Sequence, residues 1–253
     1  MQMAQLVRKV GPVDVMVIRR DSFLISMFLF AVMIAVVLRF LLPWANATMA
    51  DNGVLPNARF AMPLTAFYPM IVAFMTLYTG SLLVGTIFGF MLLDEKDDNT
   101  LTAMMVTPVP LHQYALYRVG VPVILAFFII LSMMLIINQT LLPLWQLTLL
   151  AAGGALTAPI TSLFFATVAE NKVQGLAYAK IGGISGWTIM LGWFVPEPVQ
   201  WLIGLFPPFW VSKAYWMALE GRRWWEIVLL CGILLQIGLI RWLLQRFTQA
   251  AYH

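Results

Sequence analysis

The chain has 253 residues, of which 62% are hydrophobic and 10% are charged, and its mean hydropathy is +0.88. A soluble domain has roughly 45–50% apolar and about 25% charged residues, so this composition excludes a water-soluble globular protein. The formal charge of +4 comes from lysines and arginines placed singly or in pairs at hydrophobic boundaries, which is typical of topology signals rather than of a nucleic-acid-binding surface.

A membrane-spanning helix needs about 20 predominantly apolar residues, and six segments meet this requirement. The fifth is the weakest because glycines, among them Gly182 and Gly186, dilute its hydropathy, although this four-residue spacing is typical of closely packed membrane helices. The sequence therefore predicts an all-α integral membrane protein with a single domain, residues 1–253, and six transmembrane helices. The predicted spans are residues 22–42, 66–93, 117–138, 144–168, 178–195 and 226–244.

The positions of lysine and arginine predict the orientation of these spans. If the N-terminus lies inside, ten basic residues fall on the inner side and five on the outer side, which favours cytoplasmic termini at both ends. A cleaved signal peptide is disfavoured because the polar lead and the apolar run that follows, each about 20 residues, are both long for one. The inner set is Arg8, Lys9, Arg19, Arg20, Lys96, Arg118, Lys172, Lys180, Arg241 and Arg246, and the outer set is Arg39, Arg59, Lys213, Arg222 and Arg223.

The loop after the second predicted span begins with four acidic residues, Asp94, Glu95, Asp97 and Asp98. Asp98 or Asn99 can cap the start of a helix, and the prolines at 108 and 110 end it, so a short cytoplasmic helix is predicted over residues 99–107.

Leu101, Met104 and Met105 share one face of this short helix and form an apolar stripe outside the bilayer. Such a stripe indicates a surface that binds a partner protein, and the acidic residues before it favour a basic partner. The alternative is a helix that lies on lipid headgroups, which the acidic cluster disfavours at an anionic leaflet.

The segment 195–225 is broken by Pro196, Pro198, Pro207 and Pro208 and is rich in tryptophan and other aromatic residues. Prolines at these positions stop helices, and clustered aromatic side chains favour the membrane–water boundary. The sequence predicts two short helices that lie at the outer face, or that dip into the membrane and return, rather than a seventh span. Whether they form a gate or an ordinary aromatic belt stays open.

Four motifs in order resemble type-2 ABC export permeases. The first runs from Asp94 to Tyr114, with Glu95, Thr100-Leu101 and Thr107-Pro108 in sequence, like the loop between spans two and three of that family. The resemblance covers nearly the whole chain, and one departure is Asn99, where the family has glycine. The other three motifs are Arg20-Asp21, the segment from Asn171 to Lys180, and Phe206-Pro207-Pro208-Phe209-Trp210 with Lys213-Ala214.

The resemblance implies the transmembrane subunit of an ATP-driven exporter in the cytoplasmic (inner) membrane, with the 99–107 helix as the coupling helix against a cytoplasmic ABC ATPase. It also implies an interfacial connecting helix at the amphipathic N-terminal segment around Val13, Asp14 and Val17, and a second permease chain, alike or different. The loop at Glu170 and Lys172 would be a lesser ATPase contact. The implied coupling residues are Asp94, Glu95, Asp97, Asp98, Thr100, Leu101, Met104, Met105, Pro108, Glu170 and Lys172.

The sequence predicts that the chain is not an enzyme and holds no cofactor. It has no G-x-x-x-x-G-K-[ST] loop, so ATP and Mg²⁺ are expected on the partner ATPase. Clustered Cys, His and carboxylate ligands for a metal are also lacking. Ser185 lies in a segment that resembles the serine segment of rhomboid proteases, but neither His112 nor His253 is predicted near it to act as the base.

An ion-coupled carrier is the main alternative to an ATP-driven exporter. Carriers of this kind place ionisable groups inside the membrane, whereas the interiors of spans two to five carry none, which favours an external energy source and an apolar or amphipathic substrate. The resemblance to export permeases leaves a drug-like molecule, a lipid or a glycan open as that substrate. The predicted polar track comprises Thr76, Thr79, Thr86, Thr157 and Thr161, although threonines in membrane helices more often bond to their own backbone or to a neighbouring helix.

Overall fold

The computed structural model describes residues 3–20, 22–51, 63–98 and 111–251, and all regular secondary structure within these ranges is helical. The all-α prediction is confirmed. The predicted coupling helix, with Thr100, Leu101, Met104, Met105 and Pro108, lies outside the described residues. The α-helices are α1 (Met3–Arg20), α2 (Ser22–Asp51), α3 (Tyr68–Ala73), α4 (Ser81–Asp97), α5 (Leu111–Ile137), α6 (Leu144–Ala155), α7 (Thr157–Val168), α8 (Lys172–Ser185), α9 (Trp187–Phe194), α10 (Pro208–Leu219) and α11 (Trp225–Ala251).

Within the described ranges, five helical stretches are long and apolar enough to cross a membrane. They correspond to the first four predicted spans and to the last one. The predicted span 178–195 is not among them; it coincides with α8 and α9, which are separated at Gly186. The six-span count therefore stays a prediction. The five stretches are Leu24–Asp51, Leu64–Asp97, Leu116–Ile137, Leu144–Val168 and Trp225–Gln249.

The second and fourth stretches form the centre of the bundle. Their most apolar windows are 72% and 67% buried, against 22% for Leu24–Asp51. Glycine makes this close approach possible, because a Cβ atom added at Gly85 would lie 2.5 Å from the carbonyl oxygen of Ala158, and one added at Gly89 would lie 2.7 Å from the ring of Phe165. The backbones of α4 and α7 therefore pack in direct contact, as small residues allow in membrane proteins.

A π-helical segment, Phe74–Gly80, joins α3 to α4 in the middle of the second stretch. Segments of this type are frequent at functional sites because they displace side chains from the regular helical positions. Tyr78 in this segment donates a hydrogen bond of 2.6 Å to the carbonyl oxygen of Gly182. The rings of Phe74 and Tyr78 cover Gly186, where an added Cβ atom would lie 2.2 Å from Tyr78. The break between α8 and α9 is thus packed directly against the π-helical segment.

The segment between α9 and α11 contains a largely exposed short helix followed by a buried one. A 3₁₀ helix, Val199–Leu205, leads to a turn at Phe206. The centroid of the Phe206 ring lies 5.6 Å from that of the Tyr78 ring in the second stretch. After this turn comes α10, and nearly all of its residues are buried. The choice between the two arrangements that the sequence left open stays a prediction, because α10 is buried whereas Val199, Leu202 and Leu205 of the 3₁₀ helix are exposed.

Candidate coupling cluster and membrane cavity

Four residues from three helices meet around the guanidinium of Arg118, and together with it they form what we call the Arg118 cluster. The Arg118 side chain is only 2% exposed, and its Nη1 lies 3.0 Å from Oδ2 of Asp14 on α1. Its Nη2 contacts Oε1 of Glu95 near the end of α4. Its Nε donates a hydrogen bond of 2.8 Å to the hydroxyl of Tyr114, one turn earlier on α5. A single cation therefore bridges carboxylates from two other helices.

Two tyrosines complete the hydrogen bonding of these carboxylates. Tyr117 donates to Oδ2 of Asp14 over 2.7 Å, and Tyr114 donates to Oε2 of Glu95. Burial raises the pKa of Tyr114 far above its ordinary value, so this phenol stays neutral and keeps its proton for donation. The guanidinium also lies over both rings, at 5.2 and 5.7 Å from their centroids. Buried charges are tolerated when they are paired and hydrogen-bonded in this way.

The Arg118 cluster connects α1 to both flanks of the segment 99–110. Glu95 lies just before this segment, at the end of α4, whereas Tyr114 and Arg118 lie just after it, at the start of α5. Asp14 belongs to the N-terminal helix. A displacement of either flank of this segment therefore acts on α1 through a buried ionic contact.

The other predicted coupling residues divide into two groups. Asp94 forms an ion pair of 2.7 Å with Lys172, and the neighbouring Lys96 donates to the carbonyl oxygen of Ala169, so the end of α4 is held against the loop before α8. Asp97 and Asp98 are exposed. Among the acidic residues predicted to attract a partner, Asp94 and Glu95 thus contact groups of the chain itself, and only the last two face outwards.

The loop before α8 is also ordered locally. Asn171 caps α8, because its side chain accepts a hydrogen bond of 3.0 Å from the backbone nitrogen of Gln174. The side chain of Gln174 in turn contacts both the backbone nitrogen and the carboxylate of Glu170. Glu170 is therefore held in a defined position beside Lys172.

Asp14 and Arg118 are not among the site residues that the sequence predicts. Arg118 is one of the basic residues that predict topology, and Asp14 belongs to the predicted interfacial helix. In the structure Asp14 is the buried residue of that stretch, whereas Val13 and Met16 are 56% and 69% exposed. The sequence feature that could have indicated the Arg118 cluster is a pair of tyrosines, Tyr117 and Tyr114, one and four residues before Arg118. They place two hydrogen-bonding side chains next to the arginine at the start of an apolar span.

A cavity of about 390 Å³ lies inside the bundle, between the second and fourth stretches, α8, α11 and the turn at Phe206–Pro208. Six of its lining residues are aromatic, and none is aspartate, glutamate, lysine or arginine. Among the predicted track residues, Thr157 and Thr161 line this cavity. The aromatic lining residues are Tyr78, Phe164, Phe165, Tyr178, Phe206 and Trp242.

Comparisons with known proteins agree with this membrane architecture. The family model described as fluoroquinolones export permease protein Rv2686c-like matches residues 14–244, a range that includes the Arg118 cluster and the cavity. The chain belongs to this family. It is 32% identical over 193 residues, which are 75% of each chain, to the fluoroquinolones export permease protein Rv2686c of Mycobacterium tuberculosis strain H37Rv. The same values hold for the fluoroquinolones export permease protein MT2760 of strain CDC 1551. No solved structure matches.

Membership of an export permease family confirms the resemblance to type-2 ABC export permeases and the multi-pass membrane character of the chain. Family membership does not show whether the five predicted threonines line a substrate pathway, and their positions in the structure are therefore described one by one. Thr76, Thr79 and Thr86 donate to carbonyl oxygens of their own helix over 2.7–3.0 Å. These three are outside the cavity lining.

The two threonines in the cavity wall of the permease differ in their partners. Thr161 donates to the carbonyl oxygen of Thr157 in its own helix, whereas Thr157 donates over 3.0 Å to Gln236 of α11. Gln236 is fully buried and also donates to the carbonyl oxygen of Gly153. This polar contact joins α11 to the fourth stretch, as side-chain amides do between membrane helices.

Ser185 of the permease has a hydroxyl partner rather than the base that a serine nucleophile requires. Its Oγ lies 2.9 Å from the hydroxyl of Tyr78 and 2.7 Å from the carbonyl oxygen of Gly182. Tyrosine at this position bridges two helices and offers no imidazole to remove the proton. Within the part of the chain that the structure describes, three or more Cys, His, Asp or Glu side chains do not converge on a possible metal site.

Proposed function

We propose that this permease is the transmembrane subunit of an ATP-driven exporter that moves hydrophobic or amphipathic drug-like compounds outwards across the cytoplasmic membrane. The observation that carries the proposal is the match to an export permease family over residues 14–244, nearly the whole chain. The relatives named for fluoroquinolone export support a drug-like substrate. The sequence has no Walker A loop, so ATP and Mg²⁺ bind to a separate ABC ATPase in this proposal.

The ATPase contact is the segment 99–107. Its predicted apolar stripe consists of Leu101, Met104 and Met105, and such a stripe can bind in a cleft of a partner protein. Asp97 and Asp98, which directly precede the segment in the chain, are exposed. The Arg118 cluster supports this role, because it ties both flanks of the segment to α1. Closure of the ATPase then moves a rigid unit and shifts the spans between two arrangements, which requires contacts that differ between the two states.

The proposal places both termini in the cytoplasm, as the distribution of basic residues favours. It also includes a second permease chain, identical or paralogous. The low burial of Leu24–Asp51 supports this part, since only 22% of its most apolar window is buried within one chain. Lipid or a second chain covers the remainder.

The test is ATPase activity in proteoliposomes, measured for the permease alone and for the complex obtained by co-expression with an ABC ATPase. We expect activity and fluoroquinolone transport only in the complex. Met104→Asp is expected to abolish association, whereas Ala103→Asp, on the opposite face of the predicted helix, is expected to preserve it.

Two outcomes count against the proposal. Equal association of both variants would remove the coupling assignment. Transport by the permease alone, driven by an ion gradient, would replace the ATP-driven exporter with an ion-coupled carrier.

A further inference from the structure

The cavity between the second and fourth stretches, α8 and α11 has the properties of a binding site for a small flat molecule. Its volume of about 390 Å³ lies within the range of roughly 300–1,000 Å³ that is usual for ligand pockets. Its wall is almost entirely apolar, with aromatic rings contributed by the second stretch, α7, α8 and α11. Flat aromatic molecules gain favourable offset or edge contacts with such rings in addition to the burial of their surface.

The polar groups of the wall are few and are all uncharged hydroxyls. They belong to Tyr78, Tyr178, Ser185, Thr157 and Thr161, which lie on the second stretch, α7 and α8. The hydroxyls of Tyr78 and Ser185 each carry one hydrogen, and both lie within hydrogen-bond distance of the carbonyl oxygen of Gly182. Thr161 directs its hydrogen at its own helix. Tyr78, Ser185, Thr157 and Thr161 therefore offer a ligand mainly lone pairs, which accept N–H or O–H donors, and the phenol of Tyr178 adds one further hydroxyl to the wall.

The mouth of the cavity opens on the side of the bundle, at a level within the spans. Ile181 on α8 and Trp242 on α11 line the cavity and are 57% and 50% exposed on the outer surface of the chain. Both residues lie well inside their helices rather than at the ends. Trp242 belongs to the candidate spanning stretch Trp225–Gln249, and we infer from this that the mouth opens to the hydrocarbon of the bilayer, where apolar compounds concentrate.

We propose that this cavity binds one molecule of the exported substrate, a flat aromatic compound without net charge that enters sideways from the lipid between α8 and α11. This inference rests on the proposed export function and adds to it the place and the chemical class of the substrate. The position of Tyr78 in the π-helical segment links the site to the break at Gly186. A bound molecule therefore touches the point at which Tyr78 of the second stretch is hydrogen-bonded to α8.

The test uses the full permease–ATPase complex in lipid nanodiscs and a radiolabelled fluoroquinolone as the probe. Ile181→Trp places a large side chain in the mouth, and Ile184→Trp makes the same change on the same helix at an exposed residue that does not line the cavity. We expect the first variant to bind the probe at least tenfold more weakly and to lose its transport. The second is expected to stay within about twofold of the wild type.

A second pair of variants keeps the test informative if Ile181→Trp fails to fold. Thr161→Val removes a hydroxyl from the wall with little change of shape, and Thr148→Val removes one from the same stretch outside the cavity. Loss of one hydrogen bond is expected to weaken probe binding about three- to tenfold for the first variant only.

The outcomes separate this inference from the proposed function. Transport by the wild type together with equal binding by Ile181→Trp and Ile184→Trp overturns the cavity site and leaves the exporter standing. Absence of ATP-dependent transport by the wild type overturns both. If native mass spectrometry instead shows a phospholipid that co-purifies with the wild type and is lost only in Ile181→Trp, while probe binding is unchanged, the cavity is a lipid site and the inference is wrong.

Discussion

Replacing Arg118 by methionine tests the energetic importance of the Arg118 cluster most directly. The change keeps an unbranched side chain but leaves the carboxylates of Asp14 and Glu95, which are only 7% and 17% exposed, without their cation. Removal of one partner from a buried ion pair costs about 3–5 kcal/mol. We expect a loss near 3 kcal/mol, because Tyr114 and Tyr117 continue to donate to the carboxylates. For a chain of this size that corresponds to a fall in Tm of roughly 6–12 °C.

The assay is thermal unfolding of the detergent-solubilised permease, followed by the loss of its folded peak in fluorescence-detected size-exclusion chromatography. Arg241→Met is the matched control, because Arg241 is exposed on α11 and the change is expected to alter stability by less than about 0.5 kcal/mol. The triple variant Asp14→Asn, Glu95→Gln and Arg118→Met removes all three charges and should recover most of the loss. An Arg118→Met variant as stable as Arg241→Met would refute the reasoning.

Two further changes test the helix contacts. Gly85→Ala places a methyl group 2.5 Å from the carbonyl oxygen of Ala158, so α4 and α7 must separate. We expect the free energy of unfolding to fall by about 1–3 kcal/mol, measured by thermal unfolding. Gly120→Ala is the control, because no atom lies within 4 Å of the added methyl group, and it should leave the stability unchanged. Glu197 accepts a hydrogen bond from Lys213, which lowers the pKa of its carboxyl group below its ordinary value of 4.5. The resulting stabilisation is present above pH 4.5 and is lost as the pH falls through the lower folded-state pKa. Glu197→Gln should therefore remove this acid-dependent part of the unfolding temperature, and an unchanged pH profile would contradict the ion pair.

Hydropathy and glycine spacing were sufficient to predict the membrane class and the positions of most spans. The predicted second span, 66–93, lies within Leu64–Asp97, and the predicted fourth span coincides with Leu144–Val168. Both signals are local, since about 20 consecutive apolar residues are stable in lipid only as a helix whatever surrounds them. The spacing of Gly182 and Gly186 likewise indicated a close helix contact, although not that the second stretch is the helix they face.

The candidate sites needed more than local patterns. Five threonines gave a plausible track, but the hydroxyls on the second stretch bond to their own backbone, and only Thr157 and Thr161 face the cavity. The direction of a side chain around a helix depends on how the helix is rotated against its neighbours. In the second stretch the π-helical segment changes that rotation partway along, which no 3.6-residue pattern anticipates.

The sequence by itself determined that this protein is a helical membrane permease, because composition, apolar run length and the order of short motifs require no knowledge of contacts. Only the tertiary structure decided which charges are buried. Asp14 and Arg118 are 104 residues apart, and each looks like an interfacial residue in its own segment. They form an ion pair because α1 and α5 pack with the faces that carry Asp14 and Arg118 towards each other. The desolvation free energy of either buried charge is offset only when the opposite charge is present.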